Sequence, residues 1–559
     1  IELAVELLDA ALEAGNFRSP HGFAFGGHSR DYGFYPKKDN EGTHWFKLFL
    51  DFSVQHIVAD SVCSNSIKIL LANKFRWLWI KACQYDELEQ ISEMINEKGC
   101  WIEGYVAVKR TLRFRGDSMD ESIVTRLNEL ARLLSPEKAI ERIRLYTHTE
   151  RGSALDLIDN SDGEDAVSGF HKLEEITQSL GQELAKDKVT LQEVLSEFLS
   201  GNGVRLDCLG HGVADGCEQP IELWGRFKSQ ISLINADQRN YQLLRGFLNG
   251  LSKKEPHIVD KILDAAVEDV VLGKVFPLLQ ASTLIDDKAL ERIRLSLEKE
   301  LSPINQYIDL AIRLVHSEIS DEDLCDILKV ISSKTEGDVV AIEMLQIKLY
   351  RHSSEKLDVS NVVISLGQEL LLNYDLSRES NQIGDHGYRL AAIIKSCFSE
   401  PSAAAQAKKL CVKFARELLD YNIYSMEYQE VLDALSTSQP YAFLDGFLGD
   451  VDLYDKVGRF KFEDVGGDTN CLSGISDDII IEWCEVVPEK RYPVLSSVIR
   501  PYQNIEDTKD LEWTSLSQKI IENSSDPIII LNEFKSIFTP MIITGSRDDF
   551  MQKRVSMIT

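Results

Sequence analysis

The sequence predicts an all-α protein, a helical-repeat solenoid of stacked helix pairs of the HEAT or TPR kind with little β structure. Apolar residues recur with the 3.6-residue period of an α-helix, as at Ile262, Ala265, Ala266 and Val270. Residue patterns that start a helix also recur, and two short helical words each occur twice at related intervals. Together these three observations favour many helices of similar size over one large core.

Residues that favour the first turn of a helix lie at several points of the chain. Positions 135–136 and 302–303 are both Ser-Pro, which puts a capping hydroxyl ahead of a proline suited to the first helical position. The acidic run 321–323 follows Ser320, where the helix dipole favours negative charge. We therefore expect a helix to begin at each of these places.

Two helical words are repeated. KAIERIRL at Lys138–Leu145 is followed by KALERIRL at Lys288–Leu295, an interval of 288 − 138 = 150 residues. SLGQEL occurs at Ser179–Leu184 and again at Ser365–Leu370, an interval of 365 − 179 = 186 residues. Both intervals are near whole multiples of roughly 37 residues, the length of a helix-pair repeat. Stacked pairs bury one continuous core and leave an extended concave face of the kind that binds proteins.

The chain has 559 residues, more than the roughly 250–300 that one hydrophobic core accommodates. Changes in pattern divide it into an N-terminal helical block (1–220) with a long ordered loop (17–43), a helix-pair repeat array (221–440) and a C-terminal irregular and helical cap (441–559). The first residue, Ile1, already lies in a helical pattern. This predicts that the sequence is part of a longer polypeptide with upstream domains.

The chain carries 61 basic and 90 acidic side chains, a formal net charge of −29. This charge argues against nucleic acid as a partner and predicts a protein ligand with a neutral or basic surface. The ten cysteines include no CxxC pair, which is typical of reduced thiols in a cytoplasm. No apolar run approaches the roughly 20 residues of a membrane span, so we expect a cytoplasmic protein without a membrane partner.

Motifs that carry catalysis or bind nucleotides are absent from the sequence. It contains no GxxxxGKS or GxxxxGKT, no GxGxxG, no HExxH and no GxSxG. We therefore predict that this region is not an enzyme and that it has no catalytic residues, no cofactor and no metal.

Cys208, His211 and Cys217 lie close together in a glycine-rich stretch. Thiolate and imidazole are ligands of zinc, but no second pair of ligands follows at the usual spacing. The alternative is a glycine-rich connector, residues 202–216, between two helical blocks.

The loop at 17–43 contains His28, Arg30, Asp31 and Tyr32. Together with His21, the side chains of His28, Asp31 and Tyr32 could transfer protons, although no nucleophile with a base lies beside them. The alternative is a structural loop whose aromatic residues pack on the adjoining helices.

Aromatic and basic side chains are concentrated in two further segments. One predicted helix contains Arg76, Trp77 and Trp79, and a basic run farther along the chain contains Arg110 and Arg113. Trp and Arg are enriched at the centres of protein interfaces, so these five residues are candidate contacts for a protein ligand. The alternatives are that the aromatic residues belong to the core and that the basic run is a solvated face.

Six phrases carry a resemblance to a known family: GNFRS at 15–19, SRDYGFYPK at 29–37, LANKFRWLW at 71–79, VKRTLRF at 108–114, FTPM at 538–541 and GSR at 545–547. Together they resemble the C-terminal helical region of large bacterial antiphage proteins of the STAND NTPase type. In such proteins an N-terminal effector and a central NTPase precede a helical-repeat sensor.

This resemblance implies a sensing role. The helical array would bind a protein ligand, phage-encoded in this family, and binding would release the upstream modules or drive their assembly into a homo-oligomer. Two other interpretations stay open: a constitutive assembly scaffold without a foreign ligand, and an enzyme that uses the loop at 17–43.

Overall fold

A computed structural model gives the structure of residues 2–12, 40–114, 119–150, 154–158, 166–317, 319–376, 383–420, 422–423, 425–449, 471–499, 501–504 and 511–538. Nearly all of these residues are helical, and the chain divides into two compact units, 1–266 and 267–559. The predicted class, an all-α helical-repeat fold with little β structure, is confirmed. The division into three regions, after residues 220 and 440, rests on changes in sequence pattern and stays a prediction.

Unit 1 contains helices α1 to α13. In order they span Glu2–Leu12, Asn40–Val58, Ser64–Ile80, Tyr85–Lys98, Ile102–Arg113, Glu121–Leu134, Ala139–His148, Ala166–Lys186, Lys188–Ser200, Leu206–Gly216, Pro220–Leu233, Gln242–Lys254 and Pro256–Ala266.

Helices of unit 1 pack against the helix two places farther along as well as against immediate neighbours. In one layer the helices are α1, α3, α5, α7, α8, α10 and α12, and each packs on the next. The other layer contains two such series, α2, α4 and α6, and then α9, α11 and α13. Two layers of alternating helices are the arrangement expected of stacked helix pairs. At the start of the unit they enclose a core that includes Leu71, Phe75, Trp79 and Leu127.

Unit 2 contains helices α14 to α27 and one short β hairpin. The helices span Phe276–Gln280, Asp287–Lys299, Ala311–His316, Asp321–Ser332, Gly337–Glu355, Asn361–Asn373, Ile383–Cys397, Ala404–Leu419, Gln429–Ser438, Pro440–Phe447, Asp477–Glu485, Pro488–Ser496, Ser515–Asn523 and Pro527–Phe538. In the hairpin, β1 (Tyr502–Asn504) pairs antiparallel with β2 (Leu511–Trp513).

The same alternation holds in unit 2. One layer contains α15, α17, α19, α21, α23 and α24, and the other contains α16, α18, α20 and α22, with each helix packed on the next of its layer. Each unit by itself therefore has the internal packing of a helical repeat.

Hydrogen bonds between helices of one layer report the length of the repeat. Arg126 donates Nε to Glu89 Oε1, 37 residues earlier, and Gln439 donates Nε2 to the main-chain oxygen of Phe398, 41 residues earlier. Further bonds at separations of 37 to 41 residues occur in both units. The spacing of roughly 37 residues inferred from the repeated words is therefore close to the structural period.

The predicted helix starts are confirmed in one case and corrected in the other two. Ser320 caps α17, because its Oγ accepts a hydrogen bond from the amide of Asp323 at 3.0 Å. Ser135 instead terminates α6, and α7 begins at residue 139. Ser302 donates its hydroxyl to Gly273 O at 2.6 Å, and a 3₁₀ helix follows it. At both Ser-Pro pairs the serine therefore interacts with a preceding part of the chain and does not cap the helix that follows.

The glycine-rich stretch predicted as a connector is helix α10, so this prediction was wrong. A methyl group added to Gly212 would lie 1.9 Å from the main-chain oxygen of Gln178 on α8. One added to Gly210 would lie 2.2 Å from the main-chain oxygen of Leu243 on α12. The glycines are there because the backbones of three helices approach each other more closely than any side chain permits.

Candidate ligand-binding groove

A groove opens where α3 and α5 lie side by side, and the end of α7 contributes to its wall. Its cavity measures about 730 Å³, which is within the range of pockets that bind small ligands or a few side chains. It is lined by Ile69, Ala72, Asn73, Arg76, Trp77, Ile80, Lys81, Ile102, Glu103, Val106, Ala107, Arg110, His148, Thr149 and Glu150.

Each long wall of the groove is one face of a helix. In α3 and in α5 the lining residues recur as neighbouring pairs three or four positions apart, the spacing that puts side chains on one side of a helix. The opposite face of α3 carries Leu71, Phe75 and Leu78, which are fully buried. The periodicity that folds α3 against the core therefore also determines which side chains face the groove.

Part of the lining is apolar. Trp77 is half-buried, and its ring meets the Phe46 ring edge-on with 5.1 Å between the centroids. Ile102 and Val106 of α5 are also half-buried, and Ile69 of α3 is 48% exposed. A ligand that covered these side chains would remove apolar surface from water, which is the main driving force of protein association.

Two arginines flank an exposed aromatic ring at the end of α5. Arg76 of α3 donates Nη2 to the main-chain oxygen of Phe114 at 3.1 Å, and its guanidinium lies 5.6 Å from the centre of the Phe114 ring. The Arg113 guanidinium also lies 5.6 Å from the centre of that ring. Because Phe114 is 47% exposed, this pair of cation–π contacts is on the surface.

A buried carboxylate, Asp156, faces the arginines from the 3₁₀ helix Leu155–Leu157. Arg113 donates Nη1 to its Oδ1 at 3.2 Å, and Arg110 Nε lies 3.9 Å from its Oδ2. Burial raises the pKa of Asp156, while the charges of Arg113 and Arg110 oppose this rise without cancelling it. We call Arg76 and Arg113, which lie against the Phe114 ring, together with Arg110 the arginine cluster.

The charges of the groove are separated along α5. Glu103 lies in the first turn of the helix, and Arg110 and Arg113 lie in its last turn. Seven residues of helix separate Glu103 from Arg110, a distance of about 10 Å along the axis. Arg110 and Arg113 lie near the single carboxylate of Asp156, and Arg76 adds a third guanidinium group beside Phe114. Positive charges therefore outnumber the Asp156 carboxylate at this end of α5.

The structure brings together four of the nine candidate residues from the sequence. Arg76 and Trp77 come from α3, and Arg110 and Arg113 from α5. They form one surface, although more than 30 residues separate the two pairs in the sequence. The remaining loop candidates, His28, Arg30, Asp31 and Tyr32, lie outside the described residues.

Trp79 requires a correction, because it does not face the groove. It has no exposed surface, and its ring stacks on Phe75 at 5.5 Å and meets Tyr85 edge-on at 5.0 Å. The core alternative therefore applies to Trp79, whereas Trp77, two positions earlier on the other face of the helix, remains a candidate contact.

Sequence reasoning missed Phe114 and Asp156. Phe114 lies between Arg113 and Arg115 and could have been found as the one aromatic residue of the basic run. Asp156 had no comparable signal, because it lies 43 positions beyond Arg113 in a short turn. Only the packing of that turn against α5 brings its carboxylate to the cluster.

The cysteine–histidine cluster lies on and just after α10, away from this groove. Burial raises the pKa of the Cys208 thiol to about 12, and burial also raises the pKa of Cys217. Both thiols are therefore protonated at neutral pH, which disfavours nucleophilic attack. Among the described residues, no three His, Cys, Asp or Glu side chains are grouped as ligands of a metal ion.

Two general findings complete the description. No helix in the described ranges is long and apolar enough to cross a membrane. Comparison of the chain with protein-family models, with curated proteins and with solved structures finds no match.

Proposed function

We propose that this chain is the non-catalytic sensor of a larger bacterial antiviral defence protein that acts in the cytoplasm. In this proposal the groove between α3 and α5 binds a protein ligand, encoded by the phage, and binding controls an NTPase and an effector upstream in the same polypeptide. The observation that carries the proposal is the groove itself, with Arg76, Trp77 and Arg110 along its walls and Arg113 next to them at the end of α5.

The residue types of the groove support a protein ligand. Arg and Trp dominate the energetics of protein interfaces because they combine a large contact area with directed polar groups. Half-buried apolar side chains beside them offer surface to cover. The net charge of −29 opposes the approach of a nucleic acid backbone.

The position of the resemblance gives further support. LANKFRWLW, at 71–79, lies within α3, and VKRTLRF, at 108–114, covers the last turns of α5 and Phe114. Of the six phrases that resemble the antiphage family, one thus supplies Ala72, Asn73, Arg76 and Trp77 to the groove and another supplies Arg110.

The test is capture of the ligand by the full-length defence protein during phage infection, followed by rebinding of the purified phage protein that is captured. We expect the double variant Arg76→Gln/Arg110→Gln to lose at least about tenfold in affinity, since two charged contacts are removed. Arg132→Gln on α6 is the matched control, because the Arg132 side chain is 77% exposed and lies 4.0 Å from Glu129, outside the groove.

If the groove variant and the control capture the same phage protein equally well, the groove is not the sensor site. If infection yields no specific phage ligand while the protein still assembles with its own copies through this groove, the constitutive scaffold becomes the better interpretation.

A further inference from the structure

We infer that the groove takes an amphipathic helical segment whose acidic side chains lie at one end, against the arginine cluster. This inference rests on the proposed function, because it names the chemistry of the ligand at the same site. It also departs from the neutral or basic ligand that the net charge of the whole chain predicts.

The shape of the groove favours a helix. Its two long walls are helix faces, and a third helix can lay side chains into the groove between two others. The wall formed by α5 has 12 residues and is therefore about 18 Å long. A ligand helix of similar length would place an apolar side chain every third or fourth residue against Ile69, Trp77 and Val106.

Local charge favours an acidic end on this ligand. Salt screens charges beyond about 8 Å at physiological ionic strength, so the nearest groups decide which ligand side chains are stable in the groove. At the end of α5 these groups are three arginines, Arg76, Arg110 and Arg113, and one carboxylate, Asp156, which is buried. The planar guanidinium group binds a carboxylate through two parallel hydrogen bonds.

Arg110 is the best placed of the three to bind such a carboxylate. Its side chain is 57% exposed, and its 3.9 Å contact with Asp156 is too long for a hydrogen bond. That contact therefore leaves the donors of the Arg110 guanidinium available. Arg113, by contrast, already donates to Asp156.

Glu103 sets the direction of the ligand. It lies about 10 Å from Arg110 along α5 and would repel an acidic side chain at that end. We therefore expect carboxylates at one end of the bound helix and neutral or basic residues at the other.

Selection from a displayed library of amphipathic helices tests this inference with the full-length protein. Every member keeps one apolar stripe, and the polar positions vary among Glu, Gln and Lys. We expect enrichment of Glu at one end only, and binding about tenfold or more tighter than that of the peptide with Lys in place of Glu. Arg110→Gln should remove this preference, and Arg132→Gln should keep it.

The kinetics give an independent signature. Because the whole chain carries −29, an acidic helix is repelled at long range, so added salt should speed its association. Added salt should also speed its dissociation, since it weakens the contacts with the arginine cluster. A basic ligand would associate more slowly as salt is added.

Enrichment of Lys, no enrichment of charge, or no enrichment of any helix would each overturn the inference. Its failure is distinguishable from failure of the proposed function. If the phage ligand needs the groove but the library selects Lys, only the ligand chemistry is wrong. If acidic helices bind the groove but the captured phage protein does not need it, only the sensor assignment is wrong.

Discussion

Two regions of unit 1 use the same side-by-side packing of helices with opposite results. Where α10 lies between α8 and α12, a methyl group on Gly246 would fall 1.8 Å from the main-chain oxygen of Asp207, so the backbones are in direct contact. Where α3 lies beside α5, the facing positions carry Arg76, Trp77 and Arg110, and a cavity of about 730 Å³ remains. Side-chain size at the helix interface thus decides whether a repeat provides a rigid contact or a binding groove.

This difference separates residues that stabilise the fold from residues available to a ligand. The glycines of α10 and α12 contribute no side chain to a partner, and any larger residue must push two backbones apart. The long side chains of the groove leave the helices in contact and line a cavity between them. Substitutions in the two regions should therefore affect different measurements.

The largest expected effect distinguishes two tryptophans of the same helix. Trp79→Ala should lower the free energy of unfolding by about 4 kcal/mol, because it removes a fully buried ring. Trp77→Ala should lower the free energy of unfolding by only about 1–2 kcal/mol, since its ring is half-buried. The same substitution should also lower the affinity for the ligand. Urea denaturation measures both free energies, and equal losses would contradict the assignment of Trp77 to the groove.

The next effect tests the close contact of α10 and α12. Gly246→Ala should lower the free energy of unfolding by about 3 kcal/mol, because the new methyl group meets main-chain atoms that cannot move independently. Gly225→Ala on α11 is the control: its methyl group meets nothing within 4 Å, and alanine should stabilise that helix by up to about 1 kcal/mol. A neutral Gly246→Ala would mean that the helices separate easily and that no rigid contact exists.

The arginine cluster has a structural counterpart in unit 2 that sharpens the contrast. Asp445 on α23 accepts hydrogen bonds from Trp483 Nε1 at 2.8 Å, Arg491 Nη2 at 3.1 Å and Lys408 Nζ at 3.1 Å. Burial raises the pKa of Asp445, but the bonds from Trp483 and Lys408 and the nearby positive charges outweigh it, so its pKa is lowered. Here a carboxylate fully engages its partners, whereas Asp156 leaves Arg110 at 3.9 Å.

Asp445→Asn should lower the free energy of unfolding by about 2 kcal/mol, because Lys408 and Arg491 lose the negative charge of their hydrogen-bond partner. The lowered pKa fixes the pH dependence: the folded state binds the proton less tightly than the unfolded state does. The stabilisation is therefore present above the unfolded pKa of about 4 and is lost as pH falls through the folded pKa. As the pH is lowered from 7 to 3, the melting temperature should fall less for Asp445→Asn than for the wild type.

Much of the fold could be predicted because the repeat has a local signature. Both copies of SLGQEL place a glycine at a close helix contact. A methyl group on Gly181 would lie 2.3 Å from Leu209 O on α10, and one on Gly367 would lie 2.6 Å from Cys397 Sγ on α20. The glycine-rich helix α10 was missed because glycine usually ends a helix, and only tertiary contact shows why it is tolerated here.

The sequence contains a second periodic signal, a series of arginines, from which the repeat length was not inferred. Arg313, Arg351 and Arg389 recur at intervals of 38 residues in unit 2, each after an exposed Ile or Tyr. Arg351 donates to Val315 O on α16, and Arg389 donates Nη1 to Glu343 on α18 at 3.0 Å, so both bind the preceding helix of their layer. Arg313 donates Nε to Ala281 O, just after α14, at 3.0 Å. Such a ladder could have fixed the repeat length without any structure.

The candidate site was predictable only in part. Residue type pointed to Arg76, Trp77, Arg110 and Arg113, but not to their assembly, because that depends on α3 and α5 being neighbours in one layer. A helical period alone also did not tell which of two tryptophans faces the core. The contribution of Asp156 needs the fold, since nothing in its own sequence neighbourhood relates it to arginines 43 or more positions earlier.

The smallest expected effect on stability belongs to Arg110→Gln, and it decides how the binding experiments are read. The side chain is 57% exposed and its ion pair is 3.9 Å long, so the free energy of unfolding should change by less than about 0.5 kcal/mol. Arg113→Gln should cost more, about 1–2 kcal/mol, because it removes the hydrogen bond to buried Asp156. If urea denaturation shows instead that Arg110→Gln lowers the free energy of unfolding more than Arg113→Gln does, then Arg110 stabilises the turn at 155–157. Weaker ligand binding by groove variants would then report damage to the fold and not a lost contact.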